Sequence, residues 1–202
     1  MAWLETGATG LELALYSRDP PTGRAVKTLI LVTLGISSRD NGYVDRRSVM
    51  THAHDFDFYV GTWQIHNRRL RNSLADSTDW YEFEATSRAR PVLGGTGNFD
   101  EFDAPSEGIS GLTLRLFDPE RDEWLLYWAG SGGGPLGPPQ VGRISGNRGE
   151  FYGEDVFGGR PIRVVYIWSE IRSTSARWEQ AFSPDMGETW ETNWIMESTR
   201  ID

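Results

Sequence analysis

Residues 111–129 have the sequence Gly111-Leu-Thr-Leu-Arg-Leu-Phe-Asp-Pro-Glu-Arg-Asp-Glu-Trp-Leu-Leu-Tyr-Trp-Ala129. In the first half, one set of alternate side chains is Leu112, Leu114 and Leu116, and the other is Thr113, Arg115 and Phe117. The second half puts Trp124, Leu126 and Trp128 in one phase. Side chains alternate between the two faces of a β-strand, and Asp118-Pro119 favours a turn. The stretch therefore predicts a β-hairpin.

Strand-like runs of this kind continue from residue 56 to the C-terminus, with no helical period of useful length among them. The other predicted strands are Phe58 to Asn67, Thr78 to Ser87, Gly97 to Phe102, Gln140 to Ser145, Gly149 to Val156, Arg160 to Glu170, Ser175 to Ser183 and Thr189 to Thr199. Most connections are too short for parallel pairing, so the sheet is antiparallel. Closing it removes exposed edges. We expect an all-β, up-and-down barrel of about ten strands over residues 51–202, with room for one small ligand.

Residues 1–50 have a different character and are predicted to be an irregular N-terminal extension. Glycines, the Asp19-Pro20-Pro21 break and a polar stretch interrupt any regular pattern. Met50 stands directly before the strong strand pattern. One interpretation is a flexible arm that packs on the barrel or on a partner subunit. The other, which we favour, is that translation starts at Met50 and the earlier residues are not native.

Composition restricts the location and the partners of the protein. The 202 residues carry a net charge of −9, which argues against nucleic acid and anionic membranes as partners. Cysteine is absent, so disulfides and thiolate metal sites are excluded and a cytoplasmic location is expected. The apolar run from Leu29 to Ile36 resembles a short signal-peptide core, but acidic residues precede it and no Ala-x-Ala site follows. It is also too short to span a membrane.

Residues 183–190, Ser183-Pro-Asp185-Met-Gly187-Glu-Thr189-Trp190, match the S-x-D-x-G-x-T-W pattern of the Asp box. Asp185 can accept hydrogen bonds from turn amides, Gly187 permits a positive φ, and Trp190 can pack back over the turn. In sialidases such boxes are structural and recur once per propeller blade. The motif occurs once here and the chain is too short for six blades, so we expect a hairpin that joins the last two strands.

Several stretches together resemble an uncharacterised group of bacterial lipocalin-like (calycin-type) proteins carrying a domain of unknown function. The stretches are His54 to Trp63, His66 to Leu70, Gly111 to Asp118, Arg177 to Ser183 and Glu191 to Met196. The resemblance covers roughly residues 52–200 and implies a lipocalin-like β-barrel. Phe58, Gly61 and Trp63 match the Phe-x-x-Gly-x-Trp signature of the first calycin strand, whose tryptophan plugs the barrel end. The resemblance implies no catalytic residues.

A more distant resemblance is to haem-binding barrels of the nitrobindin type, which supply a proximal histidine from near the C-terminus. This chain has no histidine after His66, so we expect no haem and no other cofactor.

Candidate functional residues come from the histidines and from charged or aromatic residues within strands. His66 is the natural acid–base candidate, with Glu179 as the second. His52 and His54 could hold a metal with Asp55 or Asp57, but a solvated tail is the favoured interpretation and no metal site is predicted. Residues expected to bind a ligand are Tyr81, Arg115, Trp128, Tyr152, Arg163, Trp168, Trp178, Asn193 and Trp194.

Strand alternation favours the outer, solvated face for the charged members of this set, because the faces opposite Arg115 and Glu179 carry more large apolar side chains. An arginine that points into the barrel would need a carboxylate or an anionic ligand, since an unpaired buried charge is costly. The segment Gly130 to Pro139 is either a mobile lid at the barrel mouth or a surface loop.

Three functions are consistent with these features. The leading hypothesis is non-covalent binding of a small apolar or aromatic molecule in the barrel. The second is an enzyme on the same scaffold that cyclises or isomerises a small hydrophobic substrate resembling a natural product. The third is a structural barrel with a filled interior that forms a homodimer.

Overall fold

The computed structural model describes residues 4–7, 10–18, 25–31 and 52–202. The chain divides into two units between Val44 and Asp45. In the first unit, strands β1 (Leu4–Gly7), β2 (Gly10–Arg18) and β3 (Ala25–Leu31) form a small antiparallel sheet, which the sequence did not predict. The remainder of the apolar run and the proposed start at Met50 lie outside the described residues.

The second unit contains a closed barrel of ten antiparallel strands. They are β4 (Gly61–Leu70), β5 (Trp80–Val92), β6 (Gly97–Ala104), β7 (Ile109–Asp118), β8 (Glu123–Gly130), β9 (Gln140–Ser145), β10 (Arg148–Phe157), β11 (Arg160–Ser169), β12 (Ser175–Ser183) and β13 (Glu191–Arg200). Each strand pairs with the next, and β13 pairs with β4. The predicted all-β, up-and-down barrel of about ten strands is confirmed. No helix in the described part of the chain is long and apolar enough to cross a membrane.

One end of the barrel is sealed by aromatic side chains from residues 52–60, the sealing segment that precedes β4, and from the beginning of β4 itself. Phe56, Tyr59 and Trp63 are all buried. The Tyr59 and Trp63 rings stack with their centroids 5.1 Å apart, and the Trp63 indole donates a hydrogen bond of 2.7 Å to the Tyr59 carbonyl. Phe56 meets the edge of Trp124 from β8 at 5.0 Å. Aromatic burial of this extent provides most of the local packing energy.

Arg200, at the end of the last strand, joins the seal to the closure of the sheet. Its guanidinium lies 4.4 Å from the Trp63 ring and donates hydrogen bonds to the carbonyls of Val60, Phe58 and Ser173. The first two carbonyls belong to the sealing segment and the third to the loop between β11 and β12. A cation over an indole is stabilised further when water is excluded, so one side chain holds three chain segments together.

The hairpin between β12 and β13 is formed as its motif predicts. The Asp185 carboxylate accepts hydrogen bonds from the Thr189 hydroxyl and amide, at 2.6 and 2.9 Å, and from the Ser183 hydroxyl. These hydrogen bonds, those from Thr189 above all, lower the pKa of Asp185 to about 2. Trp190 folds back and meets the edge of Tyr152 at 5.9 Å. The hydrogen bonds that shape the turn are therefore made within the motif itself.

The orientation of strand β7 is opposite to the one that its apolar residues favour. Thr113, Arg115 and Phe117 point inward, while the three leucines lie half-buried on the outer face. Two features of the pairing explain this. On the outer face Leu114 stands beside Phe99 of β6 and Tyr127 of β8, and such cross-strand apolar pairs shield one another from water. On the inner face Arg115 finds a carboxylate, described below.

We predict that Arg200→Lys lowers the free energy of unfolding by about 2–4 kcal/mol. A lysine ammonium cannot replace the planar guanidinium, which donates hydrogen bonds to three carbonyls in different directions. Urea denaturation of the purified variant measures the loss. Arg143→Lys is the matched control, since the Arg143 side chain is half exposed in surface ion pairs and should change stability by about 0.5 kcal/mol or less. Equal effects of the two substitutions would contradict the role given to Arg200.

Candidate functional site

Above the sealed end, the barrel contains a cavity that opens to solvent at the opposite end. The volume of the cavity is about 80 Å³. The residues that line it come from the sealing segment and from six strands: Tyr59, Asp100, Phe102, Thr113, Arg115, Leu126, Trp128, Tyr166, Trp168, Trp178, Gln180, Trp194, Met196 and Ser198. The interior is therefore not completely filled.

Aromatic rings form most of the cavity wall. Trp194 meets Trp178 and Phe102 edge to face, with centroids 5.9 and 6.1 Å apart. Tyr166 packs against Trp178 at 5.0 Å. The Trp194 indole donates its N–H to Asn67 at 3.0 Å, which fixes the ring orientation. Rings held in this way present flat apolar surface to an occupant.

Trp128 stands at the mouth, where 37% of the residue is exposed. Its indole lies across the backbone of Gly111, and a Cβ atom at Gly111 would overlap the ring. Glycine is therefore required there for the indole to lie flat on the strand. Because β8 runs from Trp124 at the sealed end to Trp128 at the mouth, the exposed segment 131–139 follows at the mouth. That this segment acts as a lid stays a prediction.

A buried ion pair lies at the floor of the cavity. Arg115 Nη1 is 2.6 Å from Asp100 Oδ1, and the two side chains are only 3% and 4% exposed. The same guanidinium donates to Asn98 Oδ1 at 2.9 Å, and the Ser87 hydroxyl donates to Asp100 Oδ2 at 2.9 Å. The strand register places Arg115 opposite Asn98, so the Asn98 and Asp100 oxygens that contact the guanidinium both come from β6. The arginine thus has the carboxylate that its inward position requires.

Three polar atoms at this floor are left without a hydrogen-bond partner within residues 52–202: Asp100 Oδ1, Arg115 Nε and Trp168 Nε1. The close contact between Asp100 Oδ1 and Arg115 Nη1 is an ion pair whose angles do not suit a hydrogen bond. Leaving a buried polar atom unpaired costs about 1–3 kcal/mol. These atoms have almost no accessible surface, so a water molecule or a ligand could pair with them, and recover that energy, only when a neighbouring side chain moves.

Tyr59 places a phenol beside this pair. Burial, with a smaller effect from the Asp100 charge, raises the pKa of Tyr59 to about 12. Burial also raises the pKa of Tyr166 well above its ordinary value, with Asp155 adding to it. Both phenols are therefore neutral at physiological pH, and the charges among the lining residues are those of Asp100 and Arg115.

Five of the nine residues expected to bind a ligand line the cavity: Arg115, Trp128, Trp168, Trp178 and Trp194. The other four lie elsewhere. Tyr81 stacks on Phe83 under the guanidinium of Arg71. Asn193 is buried at a β-bulge, where it accepts a hydrogen bond from Gln180 at 2.8 Å.

Tyr152 and Arg163 lie on the outer face of the barrel. The Tyr152 hydroxyl bonds Glu150 at 2.7 Å, and Arg163 donates to the Met186 carbonyl at 3.3 Å beneath the β12–β13 hairpin. Their alternation with inward neighbours was visible in the sequence, but the packing of the predicted hairpin against them was not.

The two candidate acid–base residues lie away from the cavity. His66 is on the outer face, where its Nδ1 is 2.8 Å from Glu84 and the side chain is 39% exposed. The hydrogen bond that His66 donates to Glu84 raises the pKa of His66. Glu179 forms an ion pair with Arg177 at 3.0 Å, also outside the cavity. The structure therefore does not bring either residue to the place where a substrate would lie.

His52 and His54 are each paired with their own aspartate. His52 is 2.9 Å from Asp55 and His54 is 2.9 Å from Asp57. Among the described residues, no three His, Asp or Glu side chains are grouped in a way that could hold a metal ion. Instead, the His52 carbonyl accepts a hydrogen bond from the Trp124 indole at 2.8 Å, which ties this segment to the sealed end.

Two residues central to the floor were not among the sequence candidates. Asp100 shares its inward phase with Phe102, and this period-two pattern could have identified it. Tyr59 lies in a short 3₁₀ turn (Asp57–Tyr59), whereas the sequence predicted a strand from Phe58; the first barrel strand begins only at Gly61, so strand alternation does not describe the position of Tyr59.

Comparison with known proteins adds no assignment. No protein-family model matches the chain, and no curated protein matches it. Function must therefore be inferred from the cavity itself.

We predict that Arg115→Met lowers the free energy of unfolding by about 3–5 kcal/mol, because it leaves the Asp100 carboxylate buried without a counter-charge. The double variant Asp100→Leu/Arg115→Met should recover much of that loss, since no charge then remains. Urea denaturation of both proteins measures the difference. The control is Arg148→Met, which breaks a half-exposed pair with Glu150 and should cost about 1 kcal/mol or less. Similar losses for Arg115→Met and the control would contradict a buried pair.

Proposed function

We propose that the barrel binds a small, flat aromatic or apolar molecule non-covalently in its cavity. The observation that carries the proposal is an open cavity whose walls are aromatic and whose floor holds polar atoms that lack partners. A protein that needed only a stable core would gain by filling this space, because empty volume costs contacts. Apolar walls with a few convergent polar groups are the usual composition of a ligand site.

We further propose that the chain is a calycin-type barrel of the lipocalin-like group. The sealed end supports this, because each residue of the Phe-x-x-Gly-x-Trp signature has a role there. The Phe58 ring packs edge to face against Trp168 at 5.6 Å, Trp63 lies under the guanidinium of Arg200, and a Cβ atom at Gly61 would overlap Arg200. Gly61 also has a φ of +136°, which disfavours other residues. The cytoplasmic location and the homodimer stay predictions.

The proposal is tested with toluene and benzamide as probes, observed by saturation-transfer NMR and titration. At least one should bind with a dissociation constant of about 1 mM or less. Thr113→Phe places a phenyl ring in the cavity and should weaken binding about tenfold or more. Thr86→Phe is the matched control, because Thr86 is exposed on the outer face of β5, and it should bind as the unaltered protein does.

Two results would refute the binding proposal. One is that neither probe binds the unaltered protein. The other is that Thr113→Phe, shown to be folded by circular dichroism, binds a probe as well as Thr86→Phe does.

A second candidate function is an enzyme that isomerises a small ketone, favoured by the buried Asp100–Arg115 pair, since desolvated ionisable pairs are frequent in active sites. In a ketone whose C=C bond is one carbon removed from the carbonyl, Asp100 would take a proton from the carbon between the two groups and return it to the far alkene carbon, while the C=C bond shifts into conjugation with the carbonyl. Cyclohexanone in D2O is a direct probe of the first step. Exchange of its α-protons that is faster with the unaltered protein than with Asp100→Asn would favour the enzyme, and equal rates would exclude this role.

A further inference from the structure

The chemistry of the cavity floor restricts the class of ligand. We propose that the cavity selects an uncharged aromatic molecule whose polar group both accepts and donates hydrogen bonds, as a carboxamide or a lactam does. This inference rests on the proposed binding function and specifies its ligand. It follows from three properties of the floor: its charge, its unpartnered atoms and its shape.

The charge of the floor disfavours ionic ligands. Asp100 and Arg115 neutralise each other at 2.6 Å, and the remaining lining residues are uncharged at physiological pH. A carboxylate entering beside Arg115 would also stand close to Asp100, and an ammonium beside Asp100 would stand close to Arg115. At the floor, each would lose its hydration and find no unneutralised counter-charge, which is costly in a water-poor interior.

The unpartnered atoms disfavour pure hydrocarbons. Arg115 Nε and Trp168 Nε1 are N–H donors that lack acceptors within residues 52–202, and Asp100 Oδ1 is an acceptor that lacks a donor there. A ligand carbonyl oxygen would satisfy a donor, and a ligand N–H would satisfy Asp100. When the polar groups of a site find hydrogen-bond partners only on one ligand, the site strongly rejects analogues that lack those partners.

The shape of the cavity sets the size of the apolar part. The inner 80 Å³ is smaller than the roughly 150 Å³ of an apolar cavity that holds a benzene molecule, but this cavity continues into an open mouth. A single ring can therefore place its polar group at the floor while its body lies against the Trp178 and Trp194 rings and extends towards Trp128. Fused systems of several rings would have to remain in the mouth.

Four probes that share one phenyl ring isolate the polar group: benzamide, benzoate, benzylammonium and toluene. Titrated against the full chain at neutral pH, benzamide should bind about tenfold or more tightly than each of the other three. The ring contributes equally in all four, so the order reports the floor alone. No variant is needed for this comparison, and it holds whether or not substitutions at the floor are tolerated.

In the Asp100→Asn variant, the preference for an uncharged ligand should shift towards an anionic one. The substitution leaves the Arg115 charge uncompensated, so benzoate should bind about tenfold more tightly than it does to the unaltered protein, while benzamide, for which the Asn amide oxygen is still an acceptor, should change less than benzoate does. Asp103→Asn is the matched control, because Asp103 is exposed on the outer face of the same strand. It should leave all four affinities unchanged.

The outcomes separate this inference from the binding function. Binding of toluene or of either ion at least as tightly as benzamide overturns the inference and leaves the aromatic binding site in place. Failure of all four probes to bind refutes the binding function itself.

Discussion

The pairing of the last strand with the first is the constraint on which the rest of the structure depends. It makes the sheet a closed barrel, and Arg200 secures it by donating to carbonyls of the sealing segment while lying over Trp63. Closure removes every free edge of the ten strands. It also forces half of the side chains into a shared interior whose volume is set by strand number, and these side chains do not fill that interior completely.

The two ends of the interior differ, and the difference explains the site. Phe56, Tyr59, Trp63 and Trp124 fill one end with aromatic rings. The other end stays open, and Trp128 lies at its edge. The Asp100–Arg115 pair lies between these regions, where the Arg115 guanidinium stands 5.0 Å from the Tyr59 ring. A charge pair in this position contributes little to net stability. Its presence is better explained by a part in ligand recognition.

Much of the fold, but only part of the site, follows from sequence patterns. Alternation identified the strands, and short connections required antiparallel pairing and favoured closure. The inward position of Arg115 could not be derived in this way, because it depends on the register that brings Asn98 and Asp100 beside it. Tyr59 reaches the floor from outside the strands. His66 illustrates the converse: a lone histidine suggested chemistry, yet it lies outside with Glu84.

We propose that the floor formed by Asp100, Arg115 and Trp168 recognises an uncharged donor–acceptor group beneath an aromatic wall. A crystal structure of the protein soaked in benzamide tests it most directly. We expect the phenyl ring to lie against the Trp178 and Trp194 rings, with the amide within hydrogen-bond distance of Arg115 Nε and Asp100 Oδ1. A cavity that contains only water at saturating benzamide, or a ring bound with its amide turned to the mouth, would contradict it.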